Sequence, residues 1–139
     1  MVWIHLAATW ALVGLIWTIQ LVHYPLMVLI ERGFANYAIQ HQGRILWLVG
    51  PLMAAEAVTA GLLALEPPSG VSPALVWTGV ALLAIAWLMT GLVSVPLHSS
   101  LAGGYDKRKI ERLVTTNWVR TAAWTARGLI AIEIARSVS

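Results

Sequence analysis

Four long apolar stretches, each broken by a few polar side chains, set the pattern of the chain: roughly Val2 to Ile30, Arg44 to Leu65, Ser72 to Leu101 and Lys109 to Ala135. A helix needs about 20 mostly apolar residues to cross the hydrocarbon core of a bilayer, so each stretch predicts one span. Backbone polar groups in lipid must be satisfied within their own segment, and a helix does that. Short connections force neighbouring helices to run antiparallel. The fold expected is therefore an all-α membrane protein, a four-transmembrane-helix antiparallel bundle in which residues 1–139 form one domain, with helices over 2–30, 44–65, 72–101 and 109–135. Glu66-Pro67-Pro68-Ser69-Gly70-Val71-Ser72-Pro73 is the clearest turn, since its prolines can continue neither flanking helix. The first stretch lacks a basic leader and a small-residue cleavage site and carries Gln20, His23 and Tyr24, so it reads as a retained helix.

Composition agrees with the pattern and narrows it. The chain is 59% hydrophobic and 11% charged, with a mean hydropathy of +0.77, far from a soluble domain of this size. It has no cysteine, which excludes disulfides, thiolate metal sites, cysteine nucleophiles and thioether-linked haem. A net charge of +3 and an isoelectric point near 9.8 could suggest nucleic acid, but topology accounts for them better. Arg32, Lys107, Arg108, Lys109 and Arg112 lie at two connections on one side, against Arg136 on the other. The positive-inside rule then puts residues 31–43 and 102–112 in the cytoplasm and both termini outside, as in a multi-pass protein of a cell inner membrane.

The polar residues inside the spans carry the candidate chemistry. Asn117, Arg120, Trp124 and Arg127 recur at i, i+3, i+7 and i+10, one stripe of the last helix that must face protein rather than lipid. Glu56, halfway across the second stretch, is the natural acceptor for Arg127, a structural ion pair, because an arginine keeps its proton and must find a partner. Gln20 and His23 precede Pro25; His98 follows Pro96 on a face shared with Trp87, Gly91 and Ser94. His5 reads as an interfacial residue beside Trp3.

Punctuation repeats between the two halves. His23-Tyr24-Pro25-Leu26 answers to Pro96-Leu97-His98, Gly33-Phe34 to Gly104-Tyr105, and His41-x-x-Arg44 to Asn117-x-x-Arg120. Two tandem helical hairpins with a pseudo-two-fold axis along the membrane normal would produce that; so would chance among apolar helices rich in Pro and Gly. With the repeat, His23, His41, His98, Arg44, Asn117 and Arg120 gather at the cytoplasmic end.

Several chemistries suit such a cluster. His23, His41 and His98 could bind a transition metal through neutral imidazoles, although no compact ligand motif is present. A haem would take His23 and His98 as axial ligands and Arg44 and Arg120 for its propionates. The same arginines could instead hold an anionic group by forked hydrogen bonds, with Gln20, Tyr24, Asn117 and Trp124 lining a ligand. Plainer still, the histidines, Tyr24 and Asn117 could simply bond one another and cap bent helix ends. No strand-turn-helix elbow surrounds Ser94, Ser99 or Ser100, and no phosphate-cradling glycine loop is present.

Gln20-x-x-His23-Tyr24-Pro25, Arg44 to Gly50-Pro51, Pro96-Leu97-His98 and Thr116-Asn117-Trp118-x-Arg120-Thr121 resemble small four-helix bacterial integral membrane proteins of uncharacterised activity across most of the length. More distantly, the chain is similar to anthrone-oxygenase-like membrane proteins and to bacterial membrane protoporphyrinogen oxidases, the latter through Trp3-Ile4-His5 with Arg44 and Pro51. That resemblance implies redox chemistry and haem.

The expectation is an integral membrane oxidoreductase, or a redox-cofactor protein, acting on a small lipophilic substrate at the cytoplasmic end of the bundle. The alternative is a cofactor-free binding or transport module for a small lipophilic or anionic ligand. Its partners would be the lipid bilayer, that ligand and, in an assembled form, further copies in a homo-oligomer, with no nucleic acid.

Overall fold

Met1–Ser139 are all described by the computed structural model. Helix α1 spans Val2–Met27, α2 Phe34–Leu65 and α3 Pro73–Leu101; α4 spans Lys107–Ser137. There are no strands. The first three helices are long and apolar enough to cross a membrane. Helix α4 falls short of that description because Lys107, Arg108, Lys109, Glu111 and Arg112 open it and Arg120, Arg127, Glu133 and Arg136 follow.

The ends of the helices show where polar residues join a helix instead of a connection. Helix α2 begins at Phe34, ten residues before the apolar stretch itself, with Gly33 at φ 70 turning the chain into it. Asn36, Gln40, His41 and Gln42 are thus helical; they are polar but contain no proline, and helix α2 continues through them. Connections shrink to residues 28–33, 66–72 and 102–106. The Asp106 side chain accepts from the Lys109 backbone N–H at 3.2 Å and starts α4.

The helices form a ring in which α1 packs on α2 and α4, and α3 on α4 and α2. The α2–α3 seam is the loosest, and α2 and α4 face each other across the axis. Lipid tails are as apolar as leucine, so close backbone approach and interhelical hydrogen bonds hold such a bundle together. Gly128 supplies the approach: a Cβ there would stand 3.2 Å from Trp10 Cε2 and Val13 Cγ2. Trp10 Nε1 donates to the Gly128 carbonyl at 3.1 Å, tying α1 to α4.

Two π-helical turns, Ile19–His23 in α1 and Thr90–Ser94 in α3, each stand two residues before a proline, Pro25 and Pro96. Proline has no N–H for the carbonyl four residues back, and a wider turn absorbs the mismatch. The Tyr24 N–H bonds the Ile19 carbonyl and the Val95 N–H that of Thr90. The extra residue shifts the register, so Gln20 and Ser94 both turn inward, 2% and 4% exposed, toward α4. It also breaks the even face anticipated for α3: Trp87 and Gly91 are exposed while Ser94 is buried.

Three apolar clusters stack along the axis. Ile19, Tyr24, Met27, Phe34, Leu101, Ile110 and Leu113 fill the end bearing the basic connections, called the basic end below. Leu12, Ile16, Met53, Ala86 and Trp124 fill the middle. Leu63, Val71, Val76 and Ile134 fill the far end.

Candidate functional site

Polar side chains run through the bundle between these clusters. At mid-bundle Glu56 of α2 is fully buried and crosses the axis to α4, where its Oε1 accepts from Arg127 Nε at 2.8 Å. Its Oε2 accepts from Trp124 Nε1 at 3.0 Å. Arg127 Nη1 donates to the backbone carbonyl of Gly79, bringing α3 into the same knot, while Nη2 has no acceptor. A buried charge costs several kcal/mol in desolvation, which a partner with good geometry offsets. Three helices meet on this one pair.

His5 is buried at 5% exposure, not interfacial, and its Nδ1 lies 2.9 Å from Thr59 Oγ1. Thr59 sits one turn from Glu56 and also donates to the Ala55 and Glu56 carbonyls. No sequence signal distinguished His5 from an interfacial ring. Its i+4 neighbour Thr9, equally buried on the same face, was the available hint.

Toward the basic end the stripe on α4 continues with Arg120, 6% exposed. Its Nη1 donates to Ser94 Oγ at 3.0 Å and to Asn117 Oδ1 at 3.1 Å. The Asn117 amide in turn donates to Gln20 Oε1 at 2.8 Å, and Gln20 Nε2 donates to the Val114 carbonyl at 3.1 Å. Each π turn thereby hands one polar side chain to α4. Trp124 joins the two levels: its indole N–H is on Glu56, and its ring lies 5.2 Å from the Arg120 guanidinium carbon, a cation–π distance.

Beyond Arg120 lie the rings. Tyr24 Oη and His98 Nε2 share a hydrogen bond of 2.9 Å, the ring tautomer setting which one donates. His41 stacks on His23 with centroids 4.1 Å apart and stands 5.7 Å from His98. The Tyr37 hydroxyl is within a long hydrogen-bond distance, 3.4 Å, of both nitrogens of His23. Gln42 Nε2 donates to the His98 carbonyl at 2.7 Å, closing the α2–α3 seam at this level.

A cavity of about 430 Å³ occupies that seam. Tyr24, His41, Gln42, Ser94, His98 and Arg120 supply its polar side, and Ile45, Leu46, Val49 and Val95 its apolar one. Leu46 and Val95 are 67% and 53% exposed, so the mouth opens sideways between α2 and α3 rather than at the end of the bundle. Most such sites are apolar with a few polar groups that fix orientation; here Tyr24, Ser94 and Arg120 are buried at the depth of the cavity, beside Ile19, while Leu46 and Val95 are exposed at its mouth.

The residues singled out from the sequence divide accordingly. Arg120, Tyr24, His41 and His98 line the cavity; Gln20, Asn117 and Trp124 support Arg120 from behind; Glu56 and Arg127 form the mid-bundle knot. His23 stacks behind His41 and does not line the cavity. Arg44 is exposed and outside it, so the expected pair of guanidinium forks does not form. Arg44 lies early in α2, where a long side chain can carry its charge away from the bundle. Ser94 and Gln42 are the additions; Ser94 shared a helical face with His98 in the sequence, and Gln42 is the residue next to His41.

The metal and haem expectations meet this geometry as follows. No group of three or more His, Cys, Asp or Glu side chains is placed to hold a metal ion. The residues as placed do not fit a haem between His23 and His98, because the His41 ring packs against both.

Comparison with known protein families, curated proteins and solved structures finds no match to this chain. What the site does must be read from its own chemistry.

Proposed function

We propose that the protein is an integral membrane binding module for a small lipophilic molecule with a polar head, taken up from the bilayer between α2 and α3. The observation that carries this reading is the sided cavity: an apolar mouth at Leu46, Val49 and Val95, and a polar base at Tyr24, Ser94, His98 and Arg120. A ligand sliding in from lipid keeps its apolar body against the first set and brings its head to the second. The expected setting is a cell inner membrane, with the basic end and its Arg32, Lys107, Arg108 and Arg112 in the cytoplasm. Helix α4 is then the fourth span, tolerated in lipid because its mid-helix charges, Arg120 and Arg127, are buried against the other helices while Glu133 and Arg136 lie in its last turns. The matching π turns before Pro25 and Pro96 support a tandem-hairpin origin.

The test is a diazirine-bearing octanol photoactivated in the reconstituted protein. Labelling concentrated on peptides holding Leu46, Val49 and Val95, and abolished by filling the cavity with Thr90→Trp, supports the reading. Labelling spread evenly over lipid-facing residues such as Leu29 and Leu65 overturns it.

A redox role is the second reading, favoured by the Tyr24–His98 pair at the base of the cavity. Those two groups could pass a proton to or from an oxygen on a quinone-like head while a separate electron carrier supplies or removes the electrons. A form bearing a haem or a transition metal would require His41 to move from between His23 and His98; a featureless absorption spectrum and no metal in protein purified without additions eliminate it.

A further inference from the structure

The two buried arginines differ in one respect. Arg127 has a carboxylate, Glu56, at 2.8 Å. Arg120 has none: the only other ion pairs are Lys107–Glu111 and Lys109–Asp106 at the surface, and the cavity it lines contains no Asp or Glu.

The groups around Arg120 are all neutral acceptors or rings. Ser94 and Asn117 take Nη1, Trp124 offers a ring face, and Tyr24 and His98 are bonded to each other nearby. Nε is buried with no acceptor at all, and Nη2, which keeps some accessible surface, makes no hydrogen bond within the protein either. Asn117 is itself held by Gln20, and neither it nor Ser94 carries a charge. The built scaffold therefore fixes a cation, leaves its Nη2 donors unused, and puts it at the base of a cavity open to lipid.

We infer that the ligand of this cavity is a monoanionic amphiphile whose head, a carboxylate or a singly charged phosphate, completes the charge of Arg120 and takes the free Nη2–H donors. This rests on the binding reading above and deepens it by naming the class of head group. A carboxylate or phosphate oxygen on a guanidinium forms the short charge-assisted bonds that a hydroxyl or ester carbonyl cannot match. The apolar half of the cavity takes the tail. A neutral molecule of the same shape would fill the space and leave the buried cation as it was.

The experiment uses a matched pair of probes, octanoate and octanol, added to the full chain in detergent with isotope labels on the methyl groups of Leu46, Val49 and Val95 and on arginine Nε. Octanoate is expected to shift the three methyls and the Arg120 Nε–H resonance together, with an affinity about tenfold or more above that of octanol. Arg120→Gln should bring the two probes level, while Arg120→Lys should keep part of the preference; because the main comparison is made on the unaltered protein, it stands even if a variant fails to fold. Equal affinities for the two probes overturn the monoanion and leave a lipophile site intact. No shift of the methyls by either probe overturns the site itself. Competition by phosphatidylglycerol against octanoate assigns the monoanion to a bilayer lipid, and its absence assigns it to a free lipophilic acid.

Discussion

Glu56 shows what one buried charge does when lipid surrounds the bundle. Its two oxygens are taken by Arg127 and Trp124, so removing its charge strands a guanidinium that has no other carboxylate within reach. Glu56→Gln is expected to cost about 3–5 kcal/mol, the usual penalty for breaking a buried pair on one side, whereas Arg44→Gln at an exposed position should change stability little. Thermal unfolding of the two variants in the same detergent measures this, and equal midpoints would contradict the role given to the pair. Thr59→Val removes the partner of His5 and should cost about 1 kcal/mol in the same assay. Glu56 and Arg127 were legible as partners from sequence, because an arginine deep in an apolar helix must find an acceptor and only one acid lies at that depth. The burial of His5 was not, since a histidine near the start of a span is equally at home among headgroups.

At the scale of the helix, the prolines were visible in the sequence but their effect on register was not. Pro25 and Pro96 announce a disturbance; which residue becomes the extra one depends on what the neighbouring helix offers, here acceptors and donors on α4 for Gln20 and Ser94. That is why Arg120's true partner on α3 could not be told from the face pattern. The start of α2 is hard to place for a related reason, since a polar run without proline reads as a connection and is helix. Close approach of α1 and α4 at Gly128 gives a sharper expectation. Gly128→Ala would push a methyl to 3.2 Å from Trp10 and Val13 and strain the Trp10 bond to the Gly128 carbonyl. A loss of about 1–3 kcal/mol is expected, as for other overpacked sites. Gly14→Ala, where an added Cβ meets nothing, should leave the unfolding midpoint near that of the parent.

For the molecule as a whole, hydrophobic pattern was enough to give an all-helical chain with four helices, three of them apolar enough to span. The fourth helix is present but carries more charge than such a span usually does, with Arg120 and Arg127 buried against its neighbours. The arrangement of the ring, and hence the cavity at its loosest seam, depends on side-chain fit between helices far apart in sequence and leaves no local trace. Orientation can be tested directly, since the chain has no cysteine of its own. Ser69→Cys should react with a membrane-impermeant maleimide in intact cells, and Gly103→Cys only after the membrane is permeabilised. The reverse pattern would invert the proposed topology.

Helix α2 is fastened unequally along its length. Beyond Pro51 it is clamped across the axis by Glu56; before Pro51 its Leu46 and Val49 border the cavity and its nearest polar tie to α3 is the single bond from Gln42 to the His98 carbonyl. Proline at 51 cannot bond the carbonyl one turn back, which leaves the helix weakest where the clamped part meets the rest. Phe34 and Ala38 anchor the start of α2 in the basic-end core, so the stretch between Gln42 and Pro51, which has no buried residue, is the part its neighbours hold least. How fast the site fills would then follow the lateral pressure of the surrounding lipid, while how tightly it holds its occupant would be set separately, by α4.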